Sequence, residues 1–348
     1  MENTNKSLWH KICGRLARVR HQARLRTSLK HIHGPTKPLA APGEVTVVSL
    51  VRDGAYYLPV FFDYYRSLGI QHFVFIDNGS TDTTLDLIRA QPDTVILQSS
   101  LPWGQFENDF RRTAAERYCR NRWCLYVDMD EIFDFEGRQE IGLTGLIRYL
   151  EAQGATALMA QMLEMFPKVP LSSVATLPYD QVLEQFHYCD LDAIRRLDYT
   201  DEDTGFSYFL RQNRLSSAET QILFGGVRGK IFGENCCLSK HPLVYVGDKV
   251  QPGVHPHCSS NVAVADISAL IKHYKFANDS TARDRASLAI ASIQHGEDKL
   301  RAQLMTDSPD LSLWSETAQD FPGITSLQAH DFLMSSDRYR SHIAGSTQ

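Results

Sequence analysis

The sequence predicts an α/β protein built on a mostly parallel central sheet flanked by helices, followed by a less regular second half. Three observations carry that prediction. From Glu44 onward, β-branched apolar runs alternate with segments whose apolar residues recur at helical spacing, the pattern of repeated βαβ units. Two of the apolar runs stop abruptly in acids, at Asp77 and at Asp128-Met129-Asp130-Glu131. In open α/β sheets, ligands collect outside the carboxyl ends of such strands. A composition of 43% hydrophobic and 22% charged residues is that of a globular domain. No run of about 18 apolar residues marks a membrane span.

The first 38 residues stand apart. They hold nine Lys/Arg against one acid, a balance of +8 in a chain of net charge −5, which leaves −13 for the remainder. Leu8, Ile12, Leu16 and Val19 recur at helical spacing beside Trp9. This predicts a basic amphipathic helix, suited either to an anionic membrane surface or to a solvated tail. No nucleic-acid module accompanies the charge, so nucleic acid is not an expected partner. The basic residues lead into no apolar segment of the kind that marks a secretory signal. Gly34 through Gly43 is turn-rich, which makes 1–43 a leader and linker. Seven cysteines without a C-x-x-C pair suit reduced thiols in a cytosol, not disulfides or zinc.

Val45–Val51 is the first predicted strand. A helix over Tyr56–Leu68 stops at Gly69. His72–Ile76 is the second strand, and Thr83–Arg89 a helix capped by Ser80 or Thr81. Val95–Leu97, a helix over Asn108–Arg120, and Trp123–Val127 complete a ligand-binding half, 44–137. The other half, 138–305, contains a helix at Leu143–Ala152 and a buried strand at Thr156–Met165. Irregular chain follows over 166–205, and an amphipathic surface helix over Ser280–Met305 closes it. A helical extension, 306–348, carries no readable chemistry beyond Ala329.

Three carboxylates within four residues repel one another unless a cation lies among them, and hard oxygen donors suit Mg²⁺ or Mn²⁺. An isolated motif of this kind also fits a solvated turn. The second acid-bearing strand end, with Asp77 and Asp82, favours a site. The chain has neither G-x-G-x-x-G nor G-x-x-x-x-G-K-[ST], which excludes dinucleotide and P-loop readings. Gly225-Gly226-Val227-Arg228-Gly229-Lys230 offers amides and cations to a phosphate, or is a glycine-rich hairpin. His255, His257 and His273 are imidazoles suited to Mn²⁺, and Lys275 suits a phosphate.

Four stretches together resemble a known family. They are Val48-Ser49-Leu50-Val51-Arg52-Asp53, then Tyr65-Arg66-Ser67-Leu68-Gly69-Ile70 after Leu58, then Phe75-Ile76-Asp77-Asn78-Gly79-Ser80-Thr81-Asp82, and last Trp123 through Phe133. They resemble the family-2-like glycosyltransferases, in particular the bacterial glycosyl transferase family 2 branch. The likeness is specific over roughly 45–135 and looser to about 280. It implies the GT-A fold, a nucleoside-diphosphate sugar as donor and a divalent metal, Mn²⁺ or Mg²⁺, held by a D-x-D. By position it implies that Asp77 holds the base, with Asp53 and Asp82 nearby. Asp128 would contact the ribose or a metal water, Asp130 would ligate the metal, and Glu131 would orient the loop. A late histidine, His273 or His255 with His257 in reserve, would complete the metal shell or meet the diphosphate, alongside Lys275. Where members often carry Asn-Glu, this chain has Asp53-Gly54.

The expected activity is metal-dependent transfer of a sugar to a hydroxyl of a glycan, lipid-linked or other acceptor, by family analogy with inversion. The expected setting is surface glycan or polysaccharide biosynthesis in the cytoplasm, peripheral to the inner face of the membrane. Inversion needs a general base, for which Asp180, Asp192, Glu202 and Glu234 are open choices. Two other readings stand beside it. One is a metal-dependent nucleotidyltransferase or nucleotide-sugar hydrolase, although the phosphate loop expected of sugar nucleotidyltransferases is missing. The other is a catalytically silent membrane-surface scaffold, against which the retained acids argue.

Overall fold

The computed structural model describes residues 15, 19–38, 40–289, 297–308 and 310–346. In chain order the strands are β1 (Lys30–His33), β2 (Val45–Val51), β3 (His72–Asp77), β4 (Thr94–Gln98), β5 (Trp123–Tyr126), β6 (Glu131–Asp134) and β7 (Ala157–Glu164). They continue as β8 (Tyr188–Cys189), β9 (Ile194–Asp198), β10 (Arg214–Leu215), β11 (Gln221–Gly225), β12 (Ser239–Tyr245), β13 (Gln251–His255), β14 (Cys258–Ser260) and β15 (Ala263–His273). Ten of them form one sheet in the order β1-β4-β3-β2-β5-β12-β7-β15-β10, with β6 paired to β15. β4, β3, β2 and β5 are parallel neighbours, as are β7 and β15. The expected α/β architecture, a mostly parallel central sheet flanked by helices, is the one the chain adopts.

Burial on both faces explains the unbroken apolar runs. Along β2, Val47 and Val51 enter one core cluster while Val48 and Leu50 enter the other. The helix Leu58–Ser67 covers the first face, with Phe61 and Phe62 packed on Phe73 and Phe75. The helix Trp103–Tyr118 covers the second with Phe106, Phe110 and Ala114. It begins five residues before the predicted Asn108, because Phe106 already lies on its buried stripe.

Four segments differ from expectation. Residues 19–28 are helical, Leu25 is buried, and the His21 ring stacks on Phe106 at 4.2 Å. The chain then adds β1 antiparallel to β4, so 30–33 belongs to the sheet and caps its edge instead of forming part of a flexible leader. The stripe residues Leu8, Trp9, Ile12 and Leu16 lie outside the described residues. The glycine-rich stretch at Gly225 is not a hairpin but enters the helix Gly226–Phe232, whose Val227 and Phe232 pack into the core. The expected surface helix over Ser280–Met305 is two helices, Ser280–Ala289 and Glu297–Asp307, and residues 290–296 between them lie outside the description. Arg301 on the second is buried against Asp284 on the first, so this pair is not a surface feature alone. The tail beyond Ala329 contributes Phe332, Leu333 and Tyr339 to the core, and Tyr339 packs on Tyr149 with ring centroids 4.8 Å apart.

β12 decides the geometry of the site. It runs antiparallel between β5 and β7 although it carries Pro242, which cannot donate to a ladder. The register against β7 shifts between Lys240 and Leu243, and that irregularity accommodates the proline. Among the described residues, no helix is long and apolar enough to cross a membrane. The six described cysteines are buried and unbridged.

Candidate active site

The acidic loop leaves the carboxyl end of β5 and turns back on itself. Glu131 N–H donates to the Asp128 carbonyl at 3.2 Å, and the Glu131 carboxylate accepts from Asp128 N–H at 2.8 Å. Tyr65 Oη donates to the Glu131 carbonyl at 2.8 Å. Glu131 therefore shapes the loop, and its buried charge is met by Lys240 Nζ at 2.7 and 2.8 Å. The carboxylates of Asp128 and Asp130 take no part in that turn.

Strand register brings the partners in. β6 pairs with β15 so that Glu131 lies opposite His273, and Tyr274 N–H donates to the Asp130 carbonyl at 2.8 Å. On its other side β15 pairs with β7, placing Glu164 opposite the same histidine. His273 Nε2 faces Asp130 Oδ2 at 3.7 Å, and Nδ1 meets Glu164 Oε1 at 2.9 Å. Burial alone would lower the His273 pKa, but Glu164 and Asp130 outweigh it and raise the value to about 9. Burial likewise works against ionised Asp130, and His273 with Lys275 and Arg283 more than offsets it, holding the carboxyl far below its ordinary range. Asp128 is also held low, because Arg111 (Nη2 at 3.2 Å) and Lys240 overcome the cost of desolvation.

The expected site residues fall into separate groups. Asp77 is fully buried and accepts from Gly79 N–H and Ser80 N–H at 3.0 Å and from Gln98 Nε2 at 2.9 Å, so its oxygens shape its own turn. Asp53, at φ 50°, accepts from Thr81 N–H at 2.6 Å. Asp82 accepts from Ala55 N–H at 3.2 Å, and these bonds tie the turns after β2 and β3 together. His255 does not join His273. It stacks on Phe206 at 4.5 Å and shares a small cleft with Arg111, Tyr126, Asp128 and Lys240. His257 is half-buried, and its Nδ1 lies 3.0 Å from the Ser239 carbonyl. Arg228 is buried, with Nε 3.0 Å from Glu164 and Nη1 3.5 Å from Glu234, rather than open to a phosphate. Lys275 stays near Asp130 and makes no side-chain bond among the described residues.

Of the four candidate bases, Glu234 is buried against Arg228 and Arg301. Asp192 pairs with Lys230 at 3.1 Å, and Glu202 with Arg211 at 2.8 Å. Asp180 is exposed, accepts from Gln181 N–H at 2.9 Å and has no ion-pair partner among the described residues; it lies next to Tyr179, which feels the charge of Asp130. The Tyr179 hydroxyl is buried near Asp130 with no hydrogen-bond partner among the described residues, and the Tyr57 hydroxyl is buried near Asp130 beside Asn278. Sequence reasoning missed Arg111, Glu164, Lys240, Tyr57 and Tyr179 as site residues. No local pattern marks them, and only the strand register assembles them.

Among the described residues, no three His, Cys, Asp or Glu side chains converge as a metal cluster. That arrangement still suits Mg²⁺ or Mn²⁺, which are commonly held by one or two carboxylates and complete their shell with substrate phosphates and water. Asp130 and His273 offer hard oxygen and imidazole donors, and Asp128 lies beside them.

No protein family and no curated protein sequence matches this chain. Among solved structures, the mannosyltransferase PcManGT from Pyrobaculum calidifontis, in complex with GDP-Man and Mn²⁺, aligns with 42% of this chain and 42% of its own length, at 18% identity and a TM-score of 0.27. A UDP-glucose pyrophosphorylase complexed with UDP-glucose aligns with 38% of this chain and 60% of its own, at 10% identity and a TM-score of 0.22. The chain thus spans less than two thirds of either protein. Both neighbours are enzymes bound to a nucleotide sugar, and at these TM-scores the likeness carries no further argument.

Proposed function

We propose that this protein transfers a sugar from a nucleoside-diphosphate sugar to a hydroxyl acceptor, with Mn²⁺ or Mg²⁺ as cofactor and with inversion. The observation that supports this reading is the pairing of Asp130 with His273, 3.7 Å apart, where the loop after β5 meets the carboxyl end of β15, with Asp128 on the same loop. Asp130 and His273, with Asp128, would hold the ion. Once bound, it neutralises charge developing on the leaving diphosphate. The chain's own residues do the rest. Glu131 and Lys240 keep the loop in shape, and Arg111 aligns Asp128. Lys275, which makes no side-chain hydrogen bond among the described residues, offers a cation for a phosphate. Asp180 is the base we favour, since its carboxylate is exposed and meets no cation among the described residues. Asp180→Asn should lower kcat by about a hundredfold or more with KM nearly unchanged. Full activity in that variant would strike Asp180 from the mechanism.

The class itself is tested by calorimetry with UDP, GDP, CDP and ADP, with and without Mn²⁺. One nucleotide should bind in a metal-dependent manner and lose at least tenfold in Asp130→Asn at unchanged Tm. Absence of metal-dependent binding to any of the four would overturn the reading. Product analysis separates glycosyl transfer, which releases a nucleoside diphosphate, from nucleotidyl transfer, which releases pyrophosphate.

A further inference from the structure

We propose that Glu164 is the positioning residue for His273, selecting which imidazole nitrogen faces the acidic loop. The inference rests on the metal-dependent reading above. A carboxylate only accepts hydrogen bonds, so the 2.9 Å contact to Glu164 Oε1 keeps a proton on Nδ1. That leaves Nε2 as the nitrogen turned to Asp130. An imidazole that ligates through Nε2 needs its lone pair there and its hydrogen on Nδ1. A carboxylate on the far nitrogen also makes the ligand more basic.

Glu164 is itself held from behind. Arg228 Nε lies 3.0 Å from its Oε1, Arg228 Nη1 lies 3.5 Å from Glu234, Glu234 pairs with Arg301, and Arg301 pairs with Asp284. Charges alternate along this buried line from Asp130 to the helix Glu297–Asp307. Arg228 and Glu234, expected as a phosphate contact and a base, thereby become supports of Glu164. A carboxylate at the end of the apolar strand β7 is costly to bury unless it is paired in this way.

The test uses the full chain with Mn²⁺ alone as probe, its affinity read from the electron paramagnetic resonance signal of the free ion. Glu164→Ala should weaken Mn²⁺ binding by about ten- to a hundredfold. Glu164→Gln keeps an acceptor oxygen in place and should lose less, while nucleotide affinity without metal stays within about twofold in both. Parallel measurement of His273→Ala separates the two levels of inference. If His273→Ala binds Mn²⁺ as tightly as the parent, the metal reading of this site fails and the positioning role with it. If His273→Ala weakens binding but the folded Glu164 variants do not, the positioning role alone is overturned. An equal loss of metal-free nucleotide affinity would mark a general structural role and also overturn it. Should Glu164→Ala fail to fold, the isosteric Glu164→Gln decides.

Discussion

Lys240 reaches Glu131 across 109 residues of sequence, and the two form a buried pair whose removal can be done in halves. Both side chains are nearly inaccessible, so Lys240→Met leaves a carboxylate in the interior with no counter-charge. That should cost about 3–5 kcal/mol in urea denaturation, and adding Glu131→Gln should restore much of it. A double variant no more stable than the single one would show that the pair is not the source of the loss. The acids of the loop were legible in the sequence because they interrupt an apolar run. Lys240, Arg111 and Glu164 were not, because an isolated Lys, Arg or Glu means nothing until the register supplies its partner. Arg228 was misassigned for the same reason: its type suggested phosphate, and its partners turn out to be Glu164 and Glu234.

At the level of elements, β12 and the β13–β14 hairpin hold two neutral histidines, His241 buried and His257 half-buried. His241 accepts from Ser259 N–H at 3.3 Å on Nδ1 and lies 3.1 Å from Tyr199 Oη on Nε2. Burial lowers its pKa to about 4, and burial with His255 and Lys240 lowers His257 to about 3. Both folded values lie below the ordinary 6.5. Each group therefore stabilises fully above pH 6.5 and loses that contribution as pH falls toward the folded value. Unfolding free energy should fall below pH 6.5 by up to about 1.4 kcal/mol per pH unit for each histidine. His241→Gln should roughly halve the slope between pH 6.5 and 4.5, above the range where carboxylates dominate. An unchanged slope would count against buried neutral His241. Strands were easier to read than helices here, since two-sided burial writes itself as an unbroken apolar run. The helix Gly226–Phe232 was hidden by glycines that oppose helix formation, and core packing of Val227 and Phe232 overrides that propensity.

For the whole molecule, the leader is the feature to divide. Its basic composition suggested a surface anchor or a tail, and composition cannot reveal that residues 30–33 pair with Ile96–Gln98, more than 60 residues further on. Removing 1–38 deletes β1 and Leu25, bares the edge of β4, and should lower Tm by several degrees. Removing only 1–14 leaves β1, Leu25 and the His21–Phe106 stack in place. We propose that the basic leader also meets anionic membranes, where Arg20, Arg24 and Arg26 are exposed. The shorter truncation keeps the fold for that test when combined with Arg20→Ala, Arg24→Ala and Arg26→Ala: if partitioning to vesicles rich in anionic lipid is the same with and without these changes, the leader is not the anchor.

β12 has one more consequence, for the order in which the molecule is made. β5 and β7 are not neighbours; they are joined through a strand synthesised about 75 residues after β7 ends. Until the ribosome has released Ser239–Tyr245, the nascent sheet has an open seam at β5 and Glu131 has no cation. Residues 44–137 look like a self-contained nucleotide fold in sequence, yet they are half of a clasp. Expressed alone, they should remain soluble only with a chaperone's help, and a separately supplied segment carrying Ser239–Tyr245 should rescue them.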